Sequence, residues 1–531
     1  MFIELKPPKK TDGEQISAIL GALGQVIGDY QQKPAYQSLL RSTHITLDWV
    51  QYKNSFRPPV SERLVLKPDC QSIHHREVHI DLRQVNAQSI APQLRRMIDR
   101  WGAVSSSSPA EMQSASSSQA SDTLNNSNLA VAVAARPVEQ LTASAPDTSA
   151  DKLELDKLYL EPFQPARNSI IWSFNTLYWN ALDKWEAAFN KGYEASLPGG
   201  VTDACNPDFV AASVKRFCQI LDELRDKGQL PEQIFVLEIG VGNGSQAHIW
   251  LDELQRLTQE TGADYYDRLH YLMSDFSACV LDVAREAVVP HLEHVSFLVL
   301  DAVDPLKSLS FLRYKLLFVH ISNVYDNLPG SELVRCDNTC CQVEVRAYLP
   351  RDAAEEIAQR YEIPLEHLAA TIFRFLRVGP DYFDEVSQGV HFWSDVWRAL
   401  KLEERYVQLD DLSQLRLFEG FDGQDVATLL DQVGSNLRMH LNETALKSFV
   451  NTLPLLHPLG IFQVQDIFIT DLEQYHSSFR GPGKYDGSVV NWVNGPLLRL
   501  VGNRCGYDVQ FQPFTYRKNS NITTLTISMR D

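Results

Sequence analysis

The residues with the clearest capacity for chemistry are Val236-Leu237-Glu238-Ile239-Gly240-Val241-Gly242-Asn243-Gly244. An apolar run ends in alternating glycines, and a helical pattern follows. Glycines at a strand-to-helix turn let the backbone reverse tightly and approach a ligand closely. A dinucleotide fingerprint, G-x-G-x-x-G/A, would put Gly or Ala at position 245. This chain has Ser245 there, and the third glycine falls one earlier, at Gly244. Glu238 stands two residues before the first glycine. A carboxylate in that place repels a pyrophosphate, which relies on positive potential at the helix start, and suits a cationic amine. The loop therefore favours S-adenosylmethionine over NAD.

A hydrophobic strand, an acid and G-x-G-x-G resemble the first motif of the class I methyltransferases. That resemblance implies that Glu238 lies near the methionine amine, with Gly240, Val241, Gly242 and Gly244 cradling the cofactor. The next strand, Tyr271-Leu272-Met273-Ser274-Asp275, also ends in an acid, followed by Phe276. Asp275 is expected to accept hydrogen bonds from the ribose hydroxyls. The third strand ends Leu298-Val299-Leu300-Asp301-Ala302, which puts Asp301, with Ala302 beside it, in the place of the adenine-contacting acid. Singly, these residues have plainer readings as turn glycines, a paired carboxylate or helix caps. Their joint placement at the carboxyl ends of consecutive strands favours the ligand, because open α/β sheets bind there.

A fourth strand leads into Val319-His320-Ile321-Ser322-Asn323-Val324-Tyr325-Asp326-Asn327-Leu328-Pro329. This stretch resembles the MidA-like methyltransferases, which have Asn-Glu, aromatics and Asp-Ala-Leu-Pro there. Asn323, Asp326, Leu328 and Pro329 match, whereas Val324 stands where the acid would be and the loop is one residue shorter. By position, Asp326 with Asn323 and Tyr325 is expected to orient the nucleophile and to accept its proton. Mitochondrial members methylate protein arginine, so the resemblance implies a guanidinium as one acceptor; a small molecule is an equal alternative. His320 is grouped with the cofactor contacts and is either a general base or a hydrogen-bonded strand residue. The Gly- and aromatic-rich segment 479–496 reads as a functional loop or as a structured turn before a capped helix. If it closes over the site, Lys484, Tyr485, Asp486 and Asn491 contact substrate. Asp486 also resembles part of that family's late Asp-Ile-Thr segment.

These residues need a scaffold, and the chain supplies strand and helix signals in alternation. Strands are expected at 234–239, 269–273, 295–300 and 314–321, with helices at 207–224, 245–257 and 278–288. Such alternation predicts a parallel, doubly wound α/β sheet, here the Rossmann-like class I methyltransferase sheet. Residues 332–455 read as a mostly helical insertion. The rhythm resumes at 460–469, with a helix near 489–505. Two late strands, 508–516 and 522–529, suggest a terminal antiparallel hairpin. Residues 1–102 read as a small α+β module without assigned chemistry. From 103 to 150, Ser, Ala, Asn and Thr replace the large apolar residues, so this stretch reads as a disordered linker. The methyltransferase domain is then 151–531.

With 531 residues and 44% hydrophobic content, the chain can bury a sizeable core. Its net charge of −18 argues against the basic face that phosphate neutralisation requires, so nucleic acid ranks low as a partner. No apolar run spans a bilayer, and the first residues resemble neither a secretion signal nor an organelle address, so a cytoplasmic location is expected. The eight cysteines are scattered. Cys336, Cys340 and Cys341 cluster without a nearby histidine, so no metal is expected. Two further readings stay open: a cofactor-binding assembly protein without turnover, and an NAD-linked oxidoreductase. Oligomeric state is left open.

Overall fold

A computed structural model describes residues 2–5, 13–48, 55–69, 73–106, 156–196, 201–336, 339–433, 436–476 and 481–530. The expected linker lies outside them, except that the helix Ala87–Ser106 runs into its first positions.

A seven-stranded sheet contains β1 (Ile234–Ile239), β2 (Leu269–Asp275), β3 (Val295–Val299), β4 (Leu316–Ser322), β5 (Leu456–Asp466), β6 (Tyr507–Pro513) and β7 (Thr523–Met529). Their spatial order is β6-β7-β5-β4-β1-β2-β3. The strands from β3 to β5 pair in parallel, while β7 is antiparallel to both β5 and β6. The chain steps outward from β1 to β3, then returns to lay β4 on the other side of β1. That reversal places the switch point at the carboxyl ends of β1 and β4, the position where open α/β sheets bind ligands.

The central strands are apolar on both faces because helices cover both. Val236, Tyr271, Met273 and Phe318 pack with Phe217 and Trp250. Those two rings come from α2 (Pro207–Asp226) and α3 (Ser245–Thr261), whereas α1 (Ile171–Asn180) precedes both in the chain. Leu237, Ile239, Val319 and Phe462 pack on the opposite face with Phe449, Leu497 and Val501. After β2 comes α4 (Ala278–Ala287). Among the described residues, no helix is long and apolar enough to cross a membrane.

Two expectations need correction. The insertion is richer in helix than in strand but is not helical alone: it holds strands Glu332–Cys336, Thr339–Pro350, Lys401–Gln408 and Leu437–His440 beside helices such as α5 (Val386–Ala399). In Thr339–Pro350, Cys341, Val343, Val345, Ala347 and Leu349 are buried while Gln342, Glu344 and Arg346 are less so. That period of two selects a strand. The late helix does not span 489–505 but is α6 (Gly495–Arg504). Asn494 caps it by accepting the Leu497 N–H at 3.1 Å, and Pro496 sits in its first turn. Residues Ser488–Val490 instead form a short hairpin with Gly483–Tyr485.

The N-terminal module has its own core, including Ile19, Leu23, Ile45, Val78 and Ile90. Its strand Val60–Leu66 pairs in parallel with Lys401–Gln408, so the module and the insertion share one mixed sheet. Buried charges line the seam. Arg63 pairs with Glu404 and donates to the Tyr406 hydroxyl at 2.8 Å, and Arg438 meets Glu404 at 3.0 Å.

Candidate functional site

The glycine turn is tied to its neighbour before any ligand is considered. The Gly240 N–H donates to the Ser274 carbonyl at 2.8 Å, and the Ser274 hydroxyl donates to the Glu238 carbonyl at 2.7 Å. Gly240, Gly242 and Gly244 all have positive φ, of 79°, 54° and 79°. Their surroundings differ. A Cβ on Gly244 would lie 2.8 Å from the Ala284 carbonyl oxygen of α4, and one on Gly240 would strike the Val324 methyl. A Cβ on Gly242 would meet nothing within 4 Å. Gly244 therefore serves helix packing, while Gly242 exposes backbone to open space, as a ligand cradle requires. Val241 is buried beside them.

Glu238 is buried, and its Oε2 accepts the Tyr271 hydroxyl at 2.8 Å. Burial pushes its carboxyl up to about 8; the charge of Asp275 adds to this and the Tyr271 bond opposes it. Asp275 accepts the Ser277 N–H at 3.0 Å. Burial raises it to about 6, against the N–H groups of Ser277, Phe276 and Gly242. Two carboxyls short of compensating charge thus flank the open face of Gly242. A cationic amine and a pair of hydroxyls would supply what each lacks. The Phe276 ring follows Asp275 and is 43% exposed. Asp301 is exposed at the end of β3 and accepts the Val303 N–H at 2.8 Å, so it also holds its own turn. The neighbouring Ala302 carbonyl accepts the Ser448 hydroxyl at 2.5 Å.

His320 stands in register between Glu238 and Gln463, across β1, β4 and β5. Burial lowers its imidazole to about 4, which leaves it neutral near pH 7 and a poor proton acceptor. His320 is also buried within the sheet, with no exposed face to offer an acceptor.

The β4 loop divides the three residues expected to handle the nucleophile. Tyr325 points into the apolar core with Leu333 and Met439, because its ring gains most by burial behind the sheet. It is therefore not a candidate for contact with substrate. Asn323 adopts a left-handed conformation (φ 51°), and its N–H donates to the Gln465 carbonyl at 2.9 Å. Asp326 is buried, accepts from Asn327 Nδ2 at 2.8 Å, and has its carboxyl raised by burial.

Several further residues meet here, outside the expected site residues. Asp466, ending β5, accepts the N–H groups of Tyr325, Asp326 and Ile467 at 2.9, 3.2 and 2.8 Å. From α1, Asn175 Nδ2 donates to the Asn327 carbonyl at 2.9 Å, and Trp179 Nε1 donates to Asn327 Oδ1 at 3.2 Å. The half-buried Tyr193 lies edge-on to Trp179 with ring centres 5.0 Å apart. Burial and then the charge of Asp326 hold its phenol well above the ordinary range.

The late loop reaches the same place. The Asn491 N–H donates to the Asp326 carbonyl at 2.9 Å, and the Val489 N–H donates to Asn175 Oδ1 at 2.9 Å. Asp486 sits exposed at the hairpin turn, with φ 52°, and accepts the Tyr178 hydroxyl at 3.4 Å. Tyr485 is half-buried next to it. Lys484 departs from expectation. Its buried ammonium donates to the carbonyls of Trp397, Arg398 and Leu400 at 2.5, 3.1 and 2.5 Å. It caps the C-terminus of α5, whose last carbonyls lack partners of their own, and has no donor left for a substrate.

The seven-stranded sheet, with β7 antiparallel between β5 and β6, is the Rossmann-like arrangement expected from the sequence. No protein-family model and no curated protein sequence matches the chain. Among solved structures it is similar to a "likely methyl transferase" from Burkholderia thailandensis bound to S-adenosyl-homocysteine, at 14% identity and TM-score 0.42, covering 69% of this chain and 88% of that one. It is also similar to the CcbJ methyltransferase from Streptomyces caelestis, at 12% identity and TM-score 0.25, over 61% of this chain and 96% of that one. At such values the likeness carries nothing about chemistry; the fold rests on the strand order of the chain itself.

Proposed function

We propose that the chain binds S-adenosylmethionine at the carboxyl ends of β1 to β3 and catalyses transfer of its methyl group to a nucleophile. The observation that carries this reading is the open space over Gly242, flanked by the electrostatically uncompensated carboxyls of Glu238 and Asp275. Glu238 would hold the cationic amine, Asp275 the ribose hydroxyls, and Phe276, Asp301 and Ala302 the adenine end. The bound cofactor supplies a methyl group already activated on a sulfonium. What remains for the protein is positioning, exclusion of water and, where needed, proton removal. Asp326 is the group for that last task, with Asn323 and Asn491 bordering it.

The acceptor reading follows from the same neighbourhood. The charges of Asp326, Glu194 and Asp486 all act on Tyr193, beside the Trp179 ring. Carboxylates interleaved with aromatic faces favour a cationic nitrogen, as an amine or a guanidinium, on a small molecule or a protein.

The test is calorimetric titration with S-adenosylmethionine, S-adenosylhomocysteine and NAD, with Gly242→Arg as control. Binding of both adenosyl compounds, lost in the variant, supports the reading. Absence of adenosyl binding, or preference for NAD, overturns it.

A further inference from the structure

We propose that His248, Asp252 and His291 form a binding site for a divalent transition-metal ion of the zinc type, separate from the methyl-transfer site. His248 and Asp252 lie one turn apart on α3, so they share a helix face. His291 comes from the 3-10 segment Val289–His294 that leads into β3. His248 Nε2 is 3.4 Å from Asp252 Oδ2, and His291 Nε2 is 3.0 Å from Asp252 Oδ1. One ligand atom from each residue falls within 4.8 Å of the other two. Two ligands on one tetrahedral zinc ion, with bonds of about 2.0–2.2 Å, stand about 3.3–3.6 Å apart. The groups thus already sit near the spacing of a shared ion.

Tyr266 provides a second observation. Its hydroxyl meets His291 Nδ1 at 2.6 Å, which leaves Nε2 directed at Asp252. Fixing a histidine ligand through its other nitrogen is the usual support for a metal site. In the metal-bound tautomer the proton resides on Nδ1 and donates to the Tyr266 oxygen. The His291 side chain is 1% exposed and held in place, whereas those of His248 and Asp252 are 37% and 56% exposed. The fourth coordination position therefore opens toward solvent and suits a water ligand. Two imidazoles and one carboxylate select a zinc-type ion over magnesium or calcium, which prefer all-oxygen donors.

The site has a structural consequence. The His248 N–H donates to the Gly244 carbonyl at 3.0 Å, so His248 lies in the first turn after the glycine loop. An ion held here cross-links that turn to the segment entering β3.

Chelator-treated protein is titrated calorimetrically with Zn²⁺ and, in parallel, Mg²⁺. The same is done for His248→Ala and Asp252→Asn, both partly exposed positions, with folding checked by circular dichroism. The expected result is one equivalent of Zn²⁺ per chain and no Mg²⁺ binding. Affinity falls at least about 100-fold in each variant, and about 10–100-fold in Tyr266→Phe. Unchanged one-equivalent binding in both ligand variants overturns the proposal by placing the ion elsewhere, as at the His44, His74 and His75 rings. Failure of the wild-type chain to bind Zn²⁺ overturns it too.

Discussion

Asp466 holds the backbone of Asp326: its Oδ2 accepts the Asp326 N–H at 3.2 Å and the Tyr325 N–H at 2.9 Å. The two carboxyls are buried at the ends of adjacent strands. Both are raised by burial, and Asp466 further by the charge of Asp326. The pair titrates as a unit, in two steps. If Asp326 receives the acceptor's proton, turnover requires its ionised form, so kcat rises with pH through a midpoint above the ordinary carboxyl range, because burial raises the group. Asp326→Asn is expected to lower kcat by roughly 10²–10⁴ while leaving cofactor affinity unchanged. S-adenosylhomocysteine release against a panel of amines and guanidines measures both. Asp466→Ala acts differently, since it strips three N–H groups of their acceptor and costs about 2–4 kcal/mol in chemical denaturation.

Glu238 makes cofactor affinity depend on pH. An ordinary glutamate titrates near 4.5, and this one near 8. A cationic amine needs the ionised form, so below pH 8 binding must release a proton. Affinity should climb about tenfold per pH unit from 6 toward 8 and then level off. Calorimetry in buffers of different ionisation enthalpy detects the released proton. Stability of the unliganded protein runs the other way. A carboxyl whose folded pKa is raised contributes fully below pH 4.5, and that contribution is lost as pH rises toward 8. Glu238→Gln removes the effect, so at pH 8 it should be more stable by on the order of 1–3 kcal/mol while binding cofactor poorly. A variant that is both less stable and fully competent to bind would contradict this role.

Gly242 and Gly244 should separate binding from folding. Gly244→Ala meets a backbone carbonyl at 2.8 Å in a left-handed conformation. It should cost about 2–4 kcal/mol, read as a lowered midpoint in urea. Gly242→Ala meets only open space and should cost about 1 kcal/mol, yet reduce cofactor affinity more than its stability loss suggests. Equal stability losses in the two variants would mean that the open space is not a cradle.

Lys484 offers a control for the late loop. Lys484→Met orphans three carbonyls at the end of α5 and is expected to destabilise by about 2–4 kcal/mol, with cofactor affinity unchanged at temperatures where the variant stays folded. Asn491→Ala, which keeps the backbone bond to Asp326, should retain stability better and impair turnover more.

The strand ends that carry the candidate site could be read from the order of residues alone. Glu238, Asp275 and Asp301 end apolar runs, and a strand that ends in an acid before a helix announces both its place in a parallel sheet and the rim on which the acid stands. The alternating glycines carried the turn for the same local reason. The parallel sheet and its terminal hairpin followed from the alternation and from the two late strand-like runs, whereas the order of the strands came from the structure. The strands of the insertion had a visible period of two at Cys341–Leu349, but the helical sequence around them obscured it.

Other properties depend on which elements meet. Lys484 lies among polar residues in a glycine-rich loop, and nothing nearby in sequence shows that its ammonium caps a helix ending at Ala399. Tyr325 and Asp326 are adjacent, yet one enters the core and the other faces the loop cluster. Asp466 controls Asp326 across 140 positions. Sequence patterns report an element's own period and its caps, which are set within a few residues. Where a polar group ends, and what burial surrounds it with, a single phenol at Glu238 or three carbonyls at Lys484, is set by long-range packing, and only the tertiary structure decides it.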